Sequence, residues 1–132
     1  MKYQQKDFTE ELRKKIENAE STLKKHTEKL LNDYTTIFTK KNLKFEADFD
    51  IEGEDPFMPG YISSVAIVIS DENGDINKLR VIHIWECKRT LLGMPVLNNL
   101  PGSKISGELN ESFEEIKEEL KDYIEDVLQE VN

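Results

Sequence analysis

The stretch from residue 61 to residue 89, YISSVAIVISDENGDINKLRVIHIWECKR, constrains the fold more than any other. Two apolar, β-branched runs flank Asn73-Gly74, the strongest short-range hairpin signal, because a type I′ turn needs positive φ at both central residues. A two-residue turn there sets Glu72 opposite Asp75, Val68 opposite Leu79 and Tyr61 opposite Glu86. Both runs are apolar on both faces through residues 65–69 and 81–85. Strands of that kind belong inside a sheet rather than at its edge.

The flanking segments supply partners and cover. In residues 43–51, Leu43, Phe45, Ala47, Phe49 and Ile51 alternate with Lys44, Glu46, Asp48 and Asp50. This period of two predicts a strand with one wet, acidic face, pairing antiparallel to residues 61–70. Residues 52–60, EGEDPFMPG, read as a loop. Over residues 8–40, Phe8, Leu12, Ile16, Ala19, Leu23, Leu30, Tyr34, Ile37 and Phe38 recur at three- and four-residue spacing, which predicts one long amphipathic helix. Asp7 and Glu10 offer a capping-box-like start, and His26 falls on the stripe between Leu23 and Leu30.

At the other end, Ser112 and Glu115 form a Ser-x-x-Glu capping box. Phe113, Ile116, Leu120, Tyr123, Ile124, Val127, Leu128 and Val131 trace a second apolar stripe. Residues 90–111 are apolar without a clear period, and MPVLN within them offers a short fourth strand. The expected architecture is α+β in the order α-β-β-β-α. An antiparallel sheet of three to four strands carries N- and C-terminal amphipathic helices on one face. The 132 residues suit a single domain spanning residues 1–132.

Charge is spread unevenly over the net −9. Residues 1–41 carry ten basic and seven acidic side chains, residues 42–107 six and ten, and residues 108–132 two and ten. Phosphate contacts dominate nucleic-acid affinity and call for a basic patch, so no direct nucleic-acid binding is expected. No run approaches a membrane span, the start MKYQQKDFTEEL has no apolar signal region, and Cys87 is the only cysteine. These features point to a cytoplasmic chain without a membrane partner. Lysine outnumbers arginine 15 to 3, a bias suggesting an AT-rich bacterial or phage genome.

Chemistry-bearing residues are few. Asp71, Asn73 and Asp75 alternate as in a calcium loop, but Gly74 comes fourth rather than sixth and Ile82 stands where the closing Glu belongs. The stretch PGSKIS lacks the upstream glycine of a P-loop. His83 and Cys87 share a strand face by number but stand about 13 Å apart, too far for a nucleophile and its base. One Cys and two His make no zinc set without recruited carboxylates. No cofactor is called for.

Glu86-Cys87-Lys88 ends a hydrophobic strand, and this Glu-x-Lys resembles half of the PD-(D/E)xK nuclease motif. The resemblance spans about 30 residues. It implies a metal-binding Glu86 and a charge-stabilising Lys88 as catalytic residues. It departs from that family where Tyr61 or Ser63 stands in place of the expected Asp. Asp71 has the right separation but lies at the hairpin tip, and the strand from Ile76 to Glu86 spans about 33 Å at roughly 3.3 Å per residue, so the two cannot share a metal. A variant site would instead gather Asp50, Asp55 and Glu86 around the metal, from among the acids that end the first strand and follow it.

The acidic C-terminal helix is the other candidate. Glu114, Glu115, Glu118, Glu119, Asp122, Glu125 and Asp126, flanked by Glu111 and Glu130, make a dense negative surface. Such a surface steers and selects a basic protein. The leading expectation is a small, non-enzymatic binding module that sequesters a basic partner, as an immunity or inhibitor protein would. The nuclease reading is the alternative. A homo-oligomer built through the apolar residues 90–100 or a free sheet edge is a third.

Overall fold

The computed structural model describes residues 1–110 and 112–131; Glu111, counted above with the acidic surface, lies outside them. The order of elements is β1 (Lys2–Gln4), a 3-10 turn (Gln5–Asp7), α1 (Glu10–Thr39), β2 (Lys44–Glu52), β3 (Ile62–Ser70), β4 (Ile76–Leu91), β5 (Met94–Pro95), β6 (Lys104–Leu109) and α2 (Phe113–Glu130). The protein is α+β, with two helices and an antiparallel six-stranded sheet ordered β1-β6-β4-β3-β2, while β5 pairs with the end of β4.

The sheet is larger than the expected three to four strands. MPVLN does contribute a strand, the two residues of β5, pairing Met94 with Leu91 and Pro95 with Thr90. β6 and β1 are additions. In β6, Lys104, Ser106 and Glu108 alternate with Ile105, Gly107 and Leu109, so the period of two is present, but a glycine interrupts its apolar face. β1 is three residues long and pairs Tyr3 with Gly107.

Contacts cluster into two compact units. The first comprises Met1–Glu20, Asp50–Ser64 and His83–Asn110. Its centre is Trp85, fully buried, with Phe8, Phe57 and Tyr3 around it at centroid distances of 5.9, 6.4 and 6.1 Å. The indole N–H donates to the Pro56 carbonyl at 2.7 Å, so the ring is buried with its polar atom satisfied. Phe8 lies before α1 rather than within it, stacked on Phe57 at 4.6 Å. The α1 N-cap is Thr9, whose hydroxyl accepts from the Leu12 amide, whereas Asp7 accepts from the Gln4 amide and closes the 3-10 turn.

The second unit comprises Ser21–Phe49, Val65–Ile82 and Glu111–Asn132. Leu23, Leu30 and Phe38 of α1 are buried, as are Ile116, Leu120, Ile124 and Val127 of α2. Phe38 stacks on Phe45 of β2 at 5.2 Å, so β2 turns Phe45 and Ala47 toward the helices. Thr27, not His26, occupies the buried stripe position between Leu23 and Leu30, and His26 sits at its margin. The Ser112 hydroxyl accepts from the Glu115 amide, as the capping pattern predicts.

The hairpin turn differs from the expected type I′. Only Gly74 has positive φ, at 86°, and Asn73 does not. The Gly74 amide bonds the Asp71 carbonyl, and the Asp71 amide bonds the Asp75 carbonyl. This is a type I turn followed by a left-handed glycine. Asp71 decides it: its carboxylate accepts from the amides of Asn73 and Asp75, at 2.9 and 3.0 Å.

Candidate functional site

β4 changes phase in mid-strand. Ile82 and Ile84 are buried at even positions, Trp85 and Cys87 at odd ones. An extra residue in the strand produces such a shift. Asn110 secures it, its amide donating to the Ile84 carbonyl and its side chain to the His83 carbonyl, both at 3.0 Å. Two expectations about this strand change. His83 is exposed while Cys87 is buried, so they do not share a face. Cys87 rather than Glu86 comes alongside Tyr61, its amide donating to the Tyr61 carbonyl at 2.9 Å.

Past the shift, Glu86 and Lys88 turn away from the buried Trp85 and Cys87. Glu86 stands directly across from Glu108 on β6, and Lys88 from Ser106; Lys2 of β1 faces Glu108 in turn. Glu86 and Lys88 also line a groove of about 410 Å³ with Glu52, Arg89, Tyr61 and Leu97. The expected metal acids do not gather there. Asp55 pairs with Arg13 of α1 at 3.3 Å and accepts from the Phe57 amide at 2.9 Å, and Arg13 lies over the Phe57 ring that packs on the buried Trp85. It therefore sits on the face of the buried Trp85 and Cys87, while Glu86 faces the other. Asp50 is on β2, two strands from Glu86 across β3, roughly 10 Å at ordinary strand spacing. Among the described residues, no three His, Cys, Asp or Glu side chains are close enough to hold a metal ion together.

Cys87 is 1% exposed, and burial, reinforced by the Asp55 charge, pushes its thiol up to about 11. A nucleophilic cysteine needs the opposite shift. Sequence reasoning missed a buried polar pair. The Tyr61 hydroxyl donates to the Glu20 carboxylate at 2.7 Å, with both residues buried. Burial and this hydrogen bond raise the Tyr61 hydroxyl well above its ordinary range. Glu20 lies on the apolar stripe of α1 one residue after Ala19, and that position was its only signal.

On α2, Glu114, Glu115, Glu118, Asp122, Glu125 and Asp126 are exposed. Glu119 is not free: it pairs with Arg80 of β4, whose guanidinium also sits 5.9 Å from the Tyr123 ring centre. Glu130 likewise holds Lys78 at 2.9 Å. Among the described residues, no ion pair engages Glu114, Glu115, Glu118, Asp122, Glu125 or Asp126. Glu114 and Glu118 border a groove of about 380 Å³ between α2 and α1, with His26, Lys29, Lys117 and Lys121. The His26 Nε2 is buried there without a hydrogen-bond partner. Burial, then the charges of Lys117 and Lys29, lower its pKa from 6.5, against a smaller opposing effect of Asp33.

No protein-family model, no curated protein and no solved structure matches this chain. No helix among the described residues is long and apolar enough to cross a membrane.

Proposed function

We propose that the protein is a non-enzymatic binding module that captures a basic protein, as an immunity or inhibitor protein does. One observation carries the reading: six acids of α2, Glu114, Glu115, Glu118, Asp122, Glu125 and Asp126, stand outside every ion pair of the described residues, while two acids of the same helix, Glu119 and Glu130, are held by β4 cations. The helix is docked through one set of charges and presents another to solvent. Unpaired like charges on one surface raise the association rate with a cation-rich partner and select against acidic ones. The net charge of −9 works in the same direction.

The test is capture from cells that make the protein, comparing the native chain with a variant reversed at Glu115, Glu118, Asp122 and Asp126 to Lys. The expected result is one basic protein, held by the native chain, lost by the variant and released as salt rises. Equal capture by both chains refutes a role for the helix surface.

The nuclease reading retains one supporting observation, the shared groove of Glu86, Lys88 and Glu52. Its requirement for a further carboxylate weighs against it. Manganese titration read by amide NMR decides between them. Local broadening at Glu52 and residues 86–88, followed by metal-dependent cleavage of DNA or RNA, favours the nuclease.

A further inference from the structure

Among the described residues, the sheet of the second unit leaves one face uncovered. In β3, Val65, Ile67 and Ile69 are buried, while Ala66 and Val68 between them are half-buried. In β4, Lys78 and Arg80 reach α2 through Glu130 and Glu119, so Leu79 and Val81 point to the opposite face. They are 56% and 46% exposed. Ala66, Val68, Leu79 and Val81 thus form an apolar strip two strands wide. Isolated exposed apolar residues are ordinary, but a contiguous strip on a sheet face marks a contact surface.

Its border is acidic. On β2, the alternation that buries Phe45 and Ala47 turns Glu46 and Asp48 to the face that carries the strip. At the hairpin tip stand Asp71, Glu72 and Asp75. The nearby cation on β2, Lys44, is already held by Glu46 at 3.0 Å. A second copy of this chain is a poor occupant, because a two-fold pairing sets the same patch against itself and brings the acids together. A helix about 10 Å across covers two strands spaced about 4.8 Å apart.

We infer that this strip is the docking site for a basic amphipathic helix of the partner, its apolar stripe on Ala66, Val68, Leu79 and Val81 and its flanking Lys or Arg side chains against Asp48 and the hairpin acids. The inference rests on the proposed capture of a basic protein. It moves the principal contact from α2, which then serves to attract, to the open sheet face, which holds.

The probe is a short helical peptide of leucine and lysine with one apolar stripe, compared with a leucine–glutamate counterpart. Amide NMR maps its site, and titration gives its affinity for the native chain and for the Leu79→Thr, Val81→Thr double variant. Threonine keeps the strand propensity and removes apolar surface, and a dispersed spectrum verifies the fold. The expected result is shifts at Ala66, Val68, Leu79 and Val81 with the lysine peptide alone, and affinity weakened about tenfold in the variant. Shifts confined to residues 113–130, or equal affinity for the variant, overturn the sheet-face site and leave the acidic capture reading standing. Absence of binding at any surface, or equal binding of the glutamate peptide, overturns both.

Discussion

Gly107 lies directly against the Trp85 indole: a β-carbon at position 107 would overlap the Cη2, Cζ2 and Cζ3 atoms of the ring. The two residues are on neighbouring strands, Gly107 across from Cys87 and Trp85 across from Leu109. Glycine is required here by space rather than by backbone conformation. The indole fills the volume that a side chain would take, and Tyr3, Phe8 and Phe57 close around it.

Gly107→Ala therefore forces Trp85 out of position. Overpacking of a closed core costs about 1–3 kcal/mol, and the upper half of that range is expected because the ring is held on several sides. Urea unfolding reads the loss, and Trp85 fluorescence should shift to the red. An unchanged midpoint would mean that the indole has room to move.

Tyr61→Phe removes the hydroxyl that the buried Glu20 carboxylate accepts. A buried acceptor left without its donor costs about 1–3 kcal/mol, more when it is charged. Replacing both residues, with Tyr61→Phe and Glu20→Leu, should recover most of the loss. If the double variant is less stable than the single one, the pair is worth more than its desolvation.

His26 gives the stability a pH dependence of known sign. Its folded pKa lies below 6.5, so the unfolded chain takes up its proton first as pH falls. Stability decreases from pH 6.5 downward and this contribution levels off below the folded pKa. The groups facing it across the groove are Lys29 and Asp33 of α1 and Glu114, Lys117, Glu118 and Lys121 of α2. Chemical unfolding at pH 7.5, 6.5 and 5.5 should show the decrease, and His26→Gln should reduce it. An identical slope in the variant assigns the effect to other groups.

The Cys87 thiol should resist modification. Burial and a pKa near 11 leave little thiolate at pH 8. A disulfide reagent at that pH should react slowly with the native chain and at once in urea. Native reaction at the rate of a free thiol would contradict the buried position.

The long helix, the closing helix with its Ser112 cap, and strand β2 were legible because each carries its own period over many residues, and β3 and β4 because two apolar runs flank a turn signal. Local signals also predicted a turn at Asn73-Gly74. They could not choose its type, which rests on the Asp71 carboxylate reaching two amides. β6 was hidden because one of its apolar positions is Gly107, and the side chain that completes its face is Trp85, borrowed from β4. The candidate site was legible only as composition. The acids of α2 were readable as a charged surface, but Arg80, distant in sequence, withdraws Glu119 from it.

The sequence by itself determined the helix periods, the central strands, the acidic balance and the scarcity of catalytic side chains, since all of these are set by neighbours along the chain. Only the tertiary structure decided which face of each strand is covered. The phase change between Ile84 and Trp85 turns Glu86 away from Asp55. The ion pairs of Lys78 and Arg80 with α2 turn Leu79 and Val81 out to solvent. Strand alternation sorts side chains into two faces, but packing against distant residues selects the buried one.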